Sequence, residues 1–291
     1  MNDAPAFDRR LTPARPDLAA AFLRGRVEAA AFAEGRPMRV RVALADLRPA
    51  PDLAASIDTQ ALYGETALLY DAASGFGWAQ LARDSYVGYL PIDALEAPAG
   101  EPTHRVAAPQ TFVYPRPDMK RPVLAALTLG ARLCVADEAQ GYARLADGGF
   151  VYAAHLAPLD APAPDFVAVA ETLLGAPYLW GGKSARGVDC SGLVQTALDA
   201  AGVGAPRDTD MQENALGTPL ADGEALRRGD LVFWRGHVGI MRDERLLLHA
   251  NARHMLVASE PFAEARARIA AGGLDVSSIR RMFARRGGGE A

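Results

Sequence analysis

Hydrophobic and polar positions change their rhythm several times along the chain. Leu18, Ala21, Phe22, Ala29 and Phe32 recur at helical spacing, and Gly35 and Pro37 end the run. Residues 1–37 are therefore predicted to form a helical arm. From residue 38 the period drops to two: Val40, Val42 and Leu44 alternate with Arg and Ala, and short apolar pieces follow between Pro, Gly and Asp. Gly77-Trp78-Ala79-Gln80-Leu81-Ala82 returns as Gly141-Tyr142-Ala143-Arg144-Leu145-Ala146, an offset of 64. The same offset lays Tyr86-Val87 on Phe150-Val151 and Leu95 on Leu159. A duplicated all-β unit of about five strands accounts for this, giving one barrel over 38–98 and another over 99–160.

A stretch rich in Pro and Ala, Pro158 to Asp165, is expected to run extended. Beyond it, residues 161–287 read as mixed α and β. Phe166–Leu174 has helical spacing with Gly175 as its stop. Asp189 is a good N-cap for a second helix carrying Leu193, Val194, Ala197, Leu198 and Ala201, closed by Gly202. Gly229–Ile240 reads as a strand, a turn and a strand starting at His237, and Arg242-Asp243-Glu244-Arg245 as the turn of the hairpin before a further segment through His249. The glycine-rich end Gly287–Ala291 reads as a disordered tail.

Composition narrows what such a chain does. Half of the 291 residues are hydrophobic and 23% are charged, which suits folded domains rather than a disordered or fibrous chain. The net charge of −4 lacks the basic field that a nucleic-acid or anionic-membrane partner needs, and no apolar run is long enough to span a bilayer. Met1-Asn2-Asp3-Ala4-Pro5 has an acidic residue where a signal peptide carries positive charge, so a cytoplasmic protein is expected. Two cysteines cannot make a disulfide framework, and no Cys/His set has zinc spacing.

One cysteine therefore stands out for its chemistry. Cys134, in Leu133-Cys134-Val135, reads as a strand interior. Cys190 follows the Asp189 cap, where the positive end of a helix favours thiolate and backbone N–H groups receive an oxyanion. A buried structural thiol is the alternative. A nucleophilic thiol needs a base and the base an orienting group. His237 begins a strand and His249 follows twelve residues later. An even separation places both rings on one face if the connecting loop has odd length or a bulge. His249 as an ordinary strand histidine and His254 as third member both stay open on this evidence. Gly181-Gly182-Lys183-Ser184 suggests a phosphate loop, but Pro177 occupies the position of its first glycine, which excludes that reading.

Gly77-Trp78-Ala79-Gln80-Leu81 followed by Tyr86-Val87-Gly88-Tyr89-Leu90 resembles bacterial SH3 domains, and the second copy does so more weakly. Tyr178-x-Trp180-Gly181-Gly182, Asp189-Cys190-Ser191-Gly192-Leu193, Gly229–Phe233, Gly236–Ile240 and His249 resemble the NlpC/P60 cysteine peptidases, a papain-like group. The resemblance implies an α+β fold class: two SH3-like β-barrels followed by a papain-like peptidase domain. It implies Cys190 as nucleophile, His237 as base and His249 as polar third residue, with no metal or organic cofactor. The subgroup with SH3 domains ahead of the peptidase cuts after D-Glu in L-Ala-γ-D-Glu-diamino acid peptides. By that resemblance Glu65 receives the free L-Ala amine, with Tyr86 beside it, and Tyr178, Asp189, Ser191 and Thr209 line the pocket. The expected partner is a murein peptide, met as a recycled fragment. A catalytically silent wall-peptide-binding module and a papain-like acyltransferase are the alternatives.

Overall fold

The computed structural model describes residues 7–221 and 223–282, so the readings of Met1–Pro5 and of the Gly287–Ala291 tail lie outside the described residues. The chain divides into two compact units, residues 1–161 and 162–291.

The first unit holds two small barrels built on five-stranded antiparallel sheets. In the first sheet the order is Val87–Pro91, Phe76–Leu81, Thr66–Ala73, Arg36–Val40 and Leu95–Glu96. In the second it is Ala125–Thr128, Gln110–Tyr114, Phe150–Tyr152, Tyr142–Leu145 and Val135–Ala139. Each encloses its own apolar core, with Val40, Leu47, Leu81 and Leu90 in one and Val106, Leu127, Leu133 and Val151 in the other. The barrels are also tied to each other. Arg39 bonds Asp147 at 3.0 Å, and the Arg132 N–H donates to the Tyr63 carbonyl at 2.8 Å. The duplication is real in the strands that carry the repeat, but its offset is not constant. Ala79 pairs with Gly88 whereas Ala143 pairs with Val151, an offset of 63, so Val87 does not correspond to Val151. The short 3-10 turns that follow, Ile92–Ala94 and Ala153–His155, put Leu156 rather than Leu159 in the place of Leu95. Cys134 is half-buried and sits between two strands instead of inside one.

The arm is not helical. Leu18–Ala20 and Ala31–Ala33 are short strands paired in parallel, joined through a single 3-10 turn, Ala21–Leu23. The apolar residues do not share one face: Ala20 and Leu23 are buried with Trp78, whereas Phe22 is 60% exposed. The arm satisfies its backbone on the barrel instead of within itself, as where the Val87 N–H donates to the Arg10 carbonyl at 2.7 Å. Arg15 lies over Trp78, 4.4 Å from the ring centroid, and bonds Tyr89 and Asp71 at 3.1 and 2.8 Å. Helical spacing was satisfied locally and overruled by the barrel surface.

The second unit has four helices and an antiparallel sheet of six strands among its described residues. The helices are α1 (Phe166–Glu171), α2 (Cys190–Ala200), α3 (Thr209–Ala215) and α4 (Phe262–Ala271). The strands are β1 (Thr218–Pro219), β2 (Asp230–Trp234), β3 (His237–Met241), β4 (Leu246–Asn251), β5 (Leu256–Pro261) and β6 (Val276–Arg281), in the order β1-β6-β2-β3-β4-β5. Helix α2 is buried at every position except Asp199 and packs on α1, β3 and β4. Its composition of Ala, Gly, Ser, Leu and Val lets it come close to its neighbours without stranding a charge. On the other sheet face, Trp234, Met241 and Leu247 pack with Phe262 and Ala265 of α4.

Candidate active site

Cys190 is the first residue of α2 because Asp189 caps that helix, accepting the Gly192 N–H at 2.7 Å. The cap is itself held. Its other oxygen accepts the Gly181 N–H at 2.9 Å and Arg207 Nη2 at 2.6 Å, and its own N–H donates to the Gly182 carbonyl at 3.1 Å. The Gly-Gly pair that suggested a phosphate loop thus cradles a carboxylate of the chain itself. Gly192 is required here, since a Cβ would lie 2.2 Å from the Gly182 carbonyl oxygen. Arg207, fully buried, also donates to Ser191 Oγ at 2.8 Å. From α3, Gln212 donates to the Ser191 carbonyl at 2.9 Å, and the Thr209 hydroxyl stands 3.8 Å from Cys190 Sγ.

Other groups act on the thiol besides the helix terminus that favours thiolate. Burial first, and then the Asp189 carboxylate, push the Cys190 thiol up. The Val238 backbone N–H, the Thr209 hydroxyl and Arg207 act the other way without cancelling those effects. The residue that caps the helix brings a negative charge beside the thiol that the helix terminus activates. Tyr178, half-buried, has its phenol pushed up by burial first and then by its interactions with Cys190 and Asp189, which marks it as a neighbour of both.

The two histidines meet across β3 and β4. His237 Nε2 and His249 Nδ1 are 2.8 Å apart. The register Ile240↔Leu248 and Met241↔Leu247 continues into the Arg242–Leu246 bond and leaves Asp243, Glu244 and Arg245 as a loop of three residues, the odd length that the shared face demands. The rings are diagonal neighbours rather than direct partners, because Gly239 occupies the place opposite His249. Trp234 packs against His237 with ring centroids 5.6 Å apart. Burial, then His249 and Arg268, hold the His237 imidazole down to about 3, against an opposing pull from Glu260. His249 is 1% exposed and is likewise lowered, by burial first. At neutral pH these shifts all favour the uncharged thiol and the uncharged rings.

A carboxylate that sequence reading missed continues the line. Glu260 Oε1 on β5 lies 2.8 Å from His249 Nε2, and Arg268 of α4 grips both Glu260 oxygens at 2.7 and 2.6 Å. Burial raises the Glu260 carboxyl, but the bonds from Arg268 and His249 outweigh it and bring the group down to about 2. His249 pairs with Ala258 and Leu247 with Glu260, so His237, His249 and Glu260 form a diagonal row on one sheet face, one residue per strand. His254, the other candidate third member, bonds Asn251 Oδ1 at 3.0 Å instead. His104 and His155 belong to the first unit, where each contacts a threonine hydroxyl at 2.9 Å.

Two further site candidates also lie in the first unit. Glu65 is buried, accepts the Leu62 N–H at 3.0 Å and is ion-paired with Arg83, so it is no solvated turn residue. Tyr86 is 4% exposed and packs in the core of the first barrel.

A thiol that opens a buried helix and meets the backbone N–H of Val238, next to the strand-borne His237, is in keeping with papain-like thiol hydrolases, and that is the class this second unit falls into. Residues 175–268 match the NlpC/P60 family, and residues 47–95 match the bacterial dipeptidyl-peptidase SH3 domain. The chain is 30% identical over 223 residues to the gamma-D-glutamyl-L-lysine dipeptidyl-peptidase of Bacillus subtilis strain 168, covering 67% of this chain and 72% of that one. It is 27% identical over 205 residues to the protein of the same name in Bacillus cereus, covering 61% of this chain and 60% of that one. The crystal structure of an NlpC/P60 family protein from Bacillus cereus superposes with a TM-score of 0.73 at 20% identity, over 86% of this chain and all of that one. The chain belongs to the NlpC/P60 family.

Proposed function

We propose that the chain is a cysteine peptidase that hydrolyses the γ-D-glutamyl–diamino acid bond of wall-derived peptides with a free N-terminal L-Ala. The observation that carries the chemistry is the ring-to-ring contact of His237 with His249 in the strand whose Val238 N–H faces the Cys190 sulfur. With Nε2 engaged, His237 keeps Nδ1 for the thiol. The names of the Bacillus relatives support the bond and the wall-peptide substrate.

Catalysis starts from the neutral pair. As Sγ bonds to the γ-carbonyl carbon, its proton passes to His237 Nδ1, and the charge that appears on the imidazole is met by His249. Collapse of the tetrahedral adduct expels the amine of the diamino acid, which takes the proton from His237. Water then adds to the thioester with His237 as base, releasing the D-Glu carboxylate and the thiol. The N-terminal end of α2 favours the oxyanion of both adducts. Proton transfer coupled to attack suits a buried thiol, since no lasting charge is carried between turnovers.

Preference for a free L-Ala amine is assigned to Glu65 by the family resemblance; its buried carboxylate is already held by Arg83 and the Leu62 N–H, so an incoming ammonium group competes with Arg83 for it. The same preference would put the enzyme downstream of the reaction that frees the peptide from the glycan, acting on released fragments. Mass spectrometry of L-Ala-γ-D-Glu-diaminopimelate and its N-acylated form tests the reading. Release of diaminopimelate from the free peptide alone is expected, and equal cleavage of both overturns the assigned preference.

A further inference from the structure

Glu260 sits one step beyond the three residues that carry out the proposed reaction, and its contacts leave no freedom in how protons are ordered along the row. Held ionised by Arg268, its carboxylate accepts only, so His249 donates through Nε2–H across the 2.8 Å contact. A neutral His249 with its proton on Nε2 has a bare Nδ1, which accepts from His237 Nε2–H across the second 2.8 Å contact. His237 is then left with a bare Nδ1, the only tautomer that receives a proton from the thiol. The opposite order puts a proton on His249 Nδ1, makes it donate to His237 Nε2, and leaves His237 with an N–H where the base is needed.

We propose that Glu260 is a positioning residue that selects the productive order of protons through His249 and His237, with Arg268 keeping it an acceptor. The geometry goes beyond a salt bridge that happens to lie near a site. Glu260 occupies the third place in a diagonal row that crosses β3, β4 and β5 on a single face, and His249, 1% exposed, has both ring nitrogens engaged by members of that row. Arg268 reaches it from α4, which begins immediately after β5, so strand and helix fix the carboxylate from two directions. The proposal rests on the thiol–imidazole reading given above, and deepens it.

Glu260→Gln keeps the shape and removes the charge. An amide both accepts and donates, so it tolerates either proton order at His249. In histidine-labelled protein, 15N resonances of the parent are expected to show both His237 and His249 as single Nε2–H tautomers. The variant is expected to show mixed tautomers or Nδ1–H, with kcat lowered at least about tenfold at unchanged KM. Arg268→Gln leaves a carboxylate on His249 but removes the cation that keeps it ionised, so its Nε2–H tautomers are expected to hold at high pH and to give way at a higher pH than in the parent as the pH is lowered. An Nδ1–H tautomer of His249 in the parent overturns the proposal. So do unchanged tautomers in Glu260→Gln with kcat within about twofold, or equal kcat losses in the two variants with tautomers intact. If Glu260→Gln does not fold, Glu260→Gln/Arg268→Met leaves no unpaired charge and is read the same way. The tautomer measurement needs no substrate. A parent with the expected tautomers that cleaves no wall peptide overturns the substrate reading and leaves this one standing.

Discussion

Gly239 stands across the β3–β4 pair from His249, and a Cβ built on it would lie 3.3 Å from the His249 Cβ and 2.7 Å from Leu247 Cδ1. The absence of a side chain on β3 is what lets the His249 ring lean diagonally to His237. Gly239→Ala is therefore expected to displace His249 and lower kcat about 10- to 100-fold. Substrate turnover against unfolding midpoint checks this, since a loss of kcat with the fold retained locates the damage in the row.

Cys190→Ala is expected to abolish release of the diamino acid and to leave the fold intact, because the thiol makes no strong bond that α2 depends on. Residual hydrolysis by pure Cys190→Ala protein, followed by mass spectrometry, would remove Cys190 from its proposed role.

Arg207 and Asp189 form a buried pair beside the thiol, with side chains 1% and 9% exposed. Arg207→Met strands the carboxylate, and a stability loss of about 3–5 kcal/mol is expected. Adding Asp189→Asn should recover part of that loss. Chemical denaturation of the single and double variants measures the difference.

His237 stays neutral in the folded protein until about pH 3, while an unfolded histidine takes up its proton near 6.5. Between those values the unfolded chain binds more protons, so stability falls as pH falls. The slope from this one group is about 1.4 kcal/mol per pH unit. Glu260, lowered from 4.5 to about 2, adds a loss in the same direction at lower pH. Denaturation midpoints at pH 7 and pH 5 should differ more in the parent than in His237→Asn.

Glu65→Gln alone breaks the buried ion pair with Arg83, whose side chain is 8% exposed, and is expected to cost about 3 kcal/mol. Glu65→Gln/Arg83→Met separates that loss from function. Its fold should hold while discrimination between free and N-acylated peptides is lost.

Cys190, His237 and their elements were legible because the signals are local: a capping Asp before a thiol, a strand beginning at a histidine, and a parity of twelve. Glu260 was not legible. It lies eleven residues from His249, an odd separation, and shares its face only because the turn between β4 and β5 has an even length, 252–255. That turn holds no strong punctuation in Asn251-Ala252-Arg253-His254. Arg207 carries no signal of burial in the sequence, since an arginine in a loop is ordinarily exposed. The arm was misread because period and composition describe a helix in isolation, and the aromatic surface around Trp78 decides otherwise. Alternation and the repeated aromatic-flanked strand made the two barrels visible, but not the shift of offset in the loop between their strands.

The three-residue loop at 243–245 turns chain length into a chemical parameter. A surface turn of this kind ordinarily accepts insertions at small cost. Here one added or deleted residue, re-paired without a bulge, would rotate every β4 side chain to the opposite face, taking His249 out of the row, and with it Glu260 through the β4–β5 pairing, while Cys190 and His237 stayed in place. Two added residues would leave the faces as they are. Natural variation in the length of this turn is therefore expected in steps of two, written in solvent but selected at the sulfur.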